Sequence, residues 1–451
     1  MTTHRLHRRR YLFLAVVVAA LVAVVAGCGS KSNAATTPSA SASTLGGIPA
    51  STSGSLSMTA VWSGQEQTAF QQVIAGFNKI YPHITVKFTS GGNNLPQILS
   101  TAVAGGHPPD LAALPQPGLM KQFAASGALK PIDFAKSIVD ANFSPTVAGI
   151  GTTNGHLYGL LFKAANKSTV WYNVPAFKNA GVTPPTTWTQ LLADAKTLKA
   201  SGVTPYSVGA DAGWPITDLF ENIYLRTAGL AMYNKLTNFQ IPWTDPSVTT
   251  ALKDMAQIYG NSSYLNGGNS GAATTDFPTS VTNVFTTPPK AAMVFEADFV
   301  ESVITSSTKA KPTTGFDYFP FPSINGQGGS DVVAGGDIVT MFKDSPAARA
   351  FVDYLATPQA AEIWARLGGF SSANKNVPAS VYTDPIGRRA ATALADASVV
   401  VYDMSDQQPA AFGATTGQGE WQIFTNFLKN PSDISGTQKA LQAAATAAYK
   451  K

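Results

Sequence analysis

The chain has 451 residues, 44% hydrophobic and 13% charged, with 31 Lys+Arg against 26 Asp+Glu and a single cysteine. One thiol excludes an internal disulfide framework and a thiolate metal cluster. The first 27 residues hold four arginines and no acid, leaving 27 basic against 26 acidic residues, a balance that argues against a nucleic-acid partner.

The N-terminus reads as an export signal. Arg5, Arg8, Arg9 and Arg10 precede an apolar run over residues 11–26 that closes on the small residues Ala26 and Gly27. The run falls short of the roughly 18–20 residues that span a bilayer. The VAGC of residues 25–28 resembles the bacterial lipobox, which implies removal of residues 1–27 and a diacylglycerol on the sulfur of Cys28. A plain buried cysteine and an anchor helix are the alternatives. Residues 28–56 are almost entirely Ser, Ala, Thr, Gly and Pro. Such a segment cannot bury enough apolar surface to offset chain entropy. It reads as a flexible linker with a reach of about 30 Å, joining a lipid anchor to a body that exceeds the usual size of one hydrophobic core.

In the body, SLSMTAVWS is a strand candidate. Phe70, Val73, Ile74, Phe77 and Ile80 then recur at helical spacing until Pro82. HITVKFTS, NNLPQILSTAVAGG and PDLAALPQ continue as strand, helix and strand. This alternation predicts a parallel sheet covered by helices, with ligand beyond the carboxyl ends of the strands. Loops 63–67, 90–94 and 116–119 then share one rim. Later, GFDYFPFPS and VVAGGDIVTMF read as strands. Ser345-Pro346 and Thr357-Pro358 open two helices, and an alanine-rich helix ends the chain. His83, His107 and His156 lie far apart, without HxxH or HExxH spacing, so no metal or other cofactor is expected.

Three segments together resemble the extracellular solute-binding proteins of ATP-binding-cassette importers, in the carbohydrate-binding group. They are GGHPPDLAALPQPGLMKQFAASGALKPI, HLYGLLFKAANKSTVWYNVPAFKNAGVTPPTTWTQ and AGGDIVTMFKDSPAARAFVDYLATPQAAEIWARLGGF. The pattern is most similar to binders of maltose, trehalose and other α-glucosides. It departs at Phe299, where relatives often carry tryptophan. The resemblance implies an α/β, two-lobed periplasmic-binding-protein-like (type II) fold that closes on ligand. It also implies a monomer on the outer face of the cell membrane, with a sugar as ligand and permease subunits as partners. The first crossing between lobes is expected near 163–170 and a return near 312–316. That gives lobe I residues 57–165 and 315–362, and lobe II residues 170–314 and 363–451.

A sugar site needs paired polar groups for hydroxyls and flat aromatics for C–H faces. Gln65 and Glu66 follow the first strand, though a carboxylate there also suits the helix dipole. Gln116 follows the third strand. Trp214 precedes a proline in a loop, as a ring-stacking platform would. Asp218 either caps the next helix or binds hydroxyls. Glu296 and Asp298 interrupt an apolar run and need partners. Gly336 beside Asp337 marks a close backbone approach, to ligand or within a bulge. Lys163 sits near the crossing, and Phe370 ends a helix. The competing class is a tethered glycoside hydrolase, with Glu296 and Asp337 as its carboxyl pair about 5–10 Å apart.

Overall fold

The computed structural model describes residues 45–450. The export signal and Cys28 lie outside the described residues, as does the linker up to residue 44. The linker expected to run to residue 56 ends earlier. Leu45 and Ile48 pack on the first core, and the Tyr81 hydroxyl donates to the Ile48 carbonyl at 3.1 Å. Two apolar side chains within four residues suffice to dock the segment.

The strands are β1 (Gly54–Ala60), β2 (Ile84–Ser90), β3 (Leu111–Leu114), a short hairpin of β4 (Thr152–Thr153) and β5 (His156–Leu157), β6 (Gly159–Asn166), β7 (Thr169–Asn173), β8 (Tyr206–Ser207), β9 (Met293–Phe295), β10 (Phe316–Pro320), β11 (Val332–Met341), β12 (Ser371–Ser372) and β13 (Val400–Tyr402). A seven-stranded sheet runs β12-β6-β11-β3-β1-β2, with β13 beside β11. A four-stranded sheet runs β10-β7-β9-β8.

β1 pairs in parallel with β2 and β3, from Gly54 opposite Ile84 to Ala60 opposite Ser90. The larger sheet is nonetheless mixed, because β11 runs antiparallel to β3 and β6. A strand that arrives from the other lobe is free of the βαβ crossover that enforces parallel pairing. Helix Gly64–Asn78 turns Phe70, Val73 and Phe77 onto this sheet. Trp62 packs against Phe70 and Trp364, with ring centroids 4.5 and 5.0 Å away. Helices Pro346–Leu355 and Pro358–Ala365 start on their predicted caps: Ser345 accepts from the Ala348 N–H and Thr357 from the Ala360 N–H.

The smaller sheet carries helices Trp214–Thr237, Pro246–Tyr259, Gly419–Lys429 and Ile434–Tyr449. They meet in a core where Phe220 lies 4.9 Å from Phe424 and 5.6 Å from Trp243. The chain leaves the larger sheet after Asn166 and enters the smaller one at Thr169. The return comes later than the expected 312–316. β10 still pairs with β7, Phe316 opposite Asn173, and the larger sheet resumes only at Val332. Residues 363–451 are likewise not one lobe. Trp364, Phe370, Val381 and Tyr382 belong to the first core, β12 and β13 join the larger sheet, and the last two helices rejoin the second core. Side-chain alternation marks a strand but not which of two sheets it joins.

Candidate functional site

The loops beyond β1, β2 and β3 meet, as three parallel strands require. They bring Gln65 and Glu66, Gly92 and Asn93, and Gln116 to one side of a cleft of about 390 Å³ between the lobes. The facing side is aromatic. Trp214 opens its helix, and its ring lies 5.1 Å from Phe277 and 6.0 Å from Phe299, all three half-buried. Phe299 therefore contributes the apolar face that its departure from the family pattern had put in doubt.

Strands β6 and β11 supply the floor. Lys163 stands opposite Asp337 in the ladder, with its Nζ 2.7 Å from Glu66 Oε1 and 3.8 Å from Asp337 Oδ2. Trp62 Nε1 donates to the same Asp337 oxygen at 2.6 Å. Burial disfavours the Lys163 ammonium, but Glu66 and Asp337 outweigh it and raise its pKa. Gly336 lines the cleft, yet its conservation of space has an internal cause. A Cβ there would lie 2.2 Å from the Lys163 carbonyl oxygen, beside a register shift at Asp337/Ile338. Of the two readings of this glycine, the bulge holds.

A second lysine, absent from the candidates drawn from sequence, sits on the crossing itself. Lys167 Nζ lies 2.5 Å from Asp403, 3.2 Å from Asp218 and 3.5 Å from Asp406. Burial opposes its charge, but these carboxylates hold its pKa well above the ordinary lysine value. Burial, then the neighbouring Asp403, pushes Asp406 up to about 8. Asp406 lines the cleft, as do Ser405 and Trp421. Three buried polar atoms among these lining residues have no hydrogen-bond partner: Gln116 Oε1, Asp406 Oδ2 and Trp421 Nε1.

Three sequence candidates fall elsewhere. Asp218 is buried below the cleft as a partner of Lys167. Glu296 faces a separate internal cavity of about 10 Å³ with Tyr259 and Ser207, and burial pushes its pKa up to about 8. Phe370 is core, stacked 5.1 Å from Trp364 and tilted 5.7 Å from Phe162. Gln65, Glu66, Gln116, Lys163, Trp214, Gly336 and Asp337 all line the cleft. Asp218, Glu221 and Asp403 bring carboxylate oxygens within 4.8 Å of one another, a spacing a metal could use. Their oxygens are instead engaged by Lys167, by the Tyr233 hydroxyl and by the Met404 and Ser405 N–H groups.

The family model for bacterial extracellular solute-binding proteins matches residues 62–362. The chain belongs to that family. Among curated relatives, this solute-binding protein is 32% identical over 394 residues to the alpha-glucosides-binding periplasmic protein AglE of Rhizobium meliloti, covering 84% of this chain and 85% of the relative. It is 33% identical over 362 residues to the osmoprotective compounds-binding protein GgtB of Synechocystis sp., covering 79% and 85%. Among solved structures, the bacterial solute receptor AcbH superposes with a TM-score of 0.77 at 22% identity, over 88% of this chain and 99% of that one. A chitin oligosaccharide binding protein superposes at 0.75 and 20%, over 88% and 100%. Both share the two-lobed fold. Among the described residues, no helix is long and apolar enough to cross a membrane.

Proposed function

We propose that this solute-binding protein is the extracytoplasmic receptor of an ATP-binding-cassette importer and captures an α-glucoside-type sugar between its lobes without altering it. The observation that carries this reading is the pairing of two surfaces. Gln116 Oε1, Asp406 Oδ2 and Trp421 Nε1 wait unpartnered in a cleft that Trp214, Phe277 and Phe299 also line. A pyranose presents hydroxyls to the first set and C–H faces to the second, and each buried polar atom it satisfies removes a desolvation cost. The relative named for alpha-glucosides supports the ligand class. The relative named for osmoprotective compounds favours a second reading, a compatible solute.

The reading includes closure of the lobes around the crossing near Lys167, a hinge motion in which ligand selects the closed form by touching both lobes. It also includes lipid attachment at Cys28, a monomeric state and delivery to permease subunits. A hydrolase reading loses its carboxyl pair. Asp337 lines the cleft while Glu296 lines a different cavity, so the two do not flank one ligand.

The test is thermal unfolding of the exported chain with Cys28→Ser against maltose, trehalose, sucrose, longer α-glucans and compatible solutes. Ligand at a hundredfold Kd adds about 2.7 kcal/mol to native stability. A stabilising sugar recovered intact supports the receptor. A sugar recovered hydrolysed, or stabilisation by none of these solutes, refutes it.

A further inference from the structure

We propose that the cleft admits uncharged polyhydroxy solutes and rejects their anionic derivatives, with Asp406 as the residue that sets this preference; the inference rests on the sugar-receptor reading. The argument begins with the cations. The residues lining the cleft include two lysines and no arginine or histidine. Lys163 is already engaged by Glu66 and Asp337, and Lys167 by Asp218, Asp403 and Asp406. Neither ammonium is left to neutralise a phosphate or carboxylate.

The unpartnered atoms point the same way. Gln116 Oε1 and Asp406 Oδ2 are acceptors, and Trp421 Nε1 is a donor. A hydroxyl both donates and accepts, so a polyol satisfies all three. A phosphate dianion only accepts, so it leaves both oxygens unsatisfied and sets its charge against them. Asp406 is 4% exposed, and its Oδ2 has only the shared Lys167 ammonium nearby, at 3.5 Å. The helix starts at Gly64 and Trp214 also border the cleft, and alone they would welcome an oxyanion. Glu66 already fills the first turn of one of them, and Lys167 sits 5.9 Å from the Trp214 ring with its carboxylates around it. The carboxylates therefore decide the sign, since like charges brought together in a desolvated site cost several powers of e in affinity, about a hundredfold or more.

The experiment titrates the exported Cys28→Ser chain with trehalose, trehalose 6-phosphate, maltose, maltose 1-phosphate and inorganic phosphate, following thermal unfolding and calorimetry. The expected result is binding of an uncharged sugar, its phosphate ester weaker by about a hundredfold, and no saturable effect of inorganic phosphate. D406N should bind the uncharged sugar more weakly and narrow the neutral-to-anionic ratio by about tenfold. A phosphate ester within tenfold of its parent sugar overturns the charge preference while leaving the receptor standing. If no sugar binds, the sugar reading fails and inorganic phosphate still decides the charge. Saturable phosphate binding that D406N alters overturns the preference, and its absence supports it.

Discussion

Lys163 on β6 faces Asp337 on β11 across one rung of the larger sheet, and the same ammonium reaches Glu66 on the helix after β1 at 2.7 Å. Three elements far apart in sequence thus meet on one buried charge at the cleft floor. Lys163→Met should leave Glu66 and Asp337 uncompensated and destabilise the fold by about 3–5 kcal/mol. Denaturant unfolding measures it. A loss below about 1 kcal/mol would mean that the carboxylates find solvent or protons instead.

Trp214 is half-buried and touches Phe277 and Phe299 rather than the main core. Trp214→Ala should therefore act on binding more than on folding. A central aromatic contact of this kind is worth about 2 kcal/mol, or roughly thirtyfold in Kd. Calorimetry with whichever sugar binds is the check, and unchanged affinity would remove Trp214 from the ligand contact.

Phe370 serves as a control of the opposite kind. Its ring stacks on Trp364 inside the first core. Phe370→Ala should cost about 3–5 kcal/mol of stability while the folded protein keeps its ligand affinity. A selective loss of affinity at unchanged stability would return this residue to the site.

Stability should fall as pH rises toward 8. Burial holds Asp406 and Glu296 at about 8 in the folded chain, against ordinary values near 4 in the unfolded one. The native state therefore binds more protons between about pH 4 and pH 8. Their contribution is fully present below the unfolded value and lost as pH passes the folded one. Asp403 is opposed by burial but held low by Lys167, so its stabilisation is lost only at acid pH, outside that window. Denaturation midpoints at pH 5 through 9 should decline, and Glu296→Gln should flatten the slope. A midpoint that rises across this range would contradict the buried, protonated carboxyls.

Cys28 is the only thiol in the chain. Mass spectrometry of the membrane fraction should find the chain starting at this residue with a diacylglycerol. Cys28→Ala should move the protein into the soluble extracytoplasmic fraction. A membrane-bound Cys28→Ala chain retaining residues 1–27 would instead identify the apolar run as an anchor.

Local chemistry was legible in the sequence by itself. The Phe70, Val73 and Phe77 spacing, the Ser345 and Thr357 caps and the alternation through β3 depend on neighbours a few residues away, and the structure has them where the pattern placed them. The loops after β1, β2 and β3 share a rim because parallel pairing puts their carboxyl ends together. Tertiary structure decided what depends on distant pairing. β10 reads as a strand in either sheet until it pairs with β7. Asp218 and Glu296 looked like hydroxyl ligands because an acid in an apolar stretch needs a partner, and that partner can be a lysine or a sugar. Only burial beneath the cleft resolved Asp218 in favour of Lys167. Asp406 had no signal in the sequence. It reaches the cleft because β13 pairs with β11 and turns Asp403 and Asp406 toward Lys167, more than two hundred residues earlier in the chain. Periodicity and capping act along the chain, whereas a binding cleft is made where segments remote in sequence share one desolvated volume.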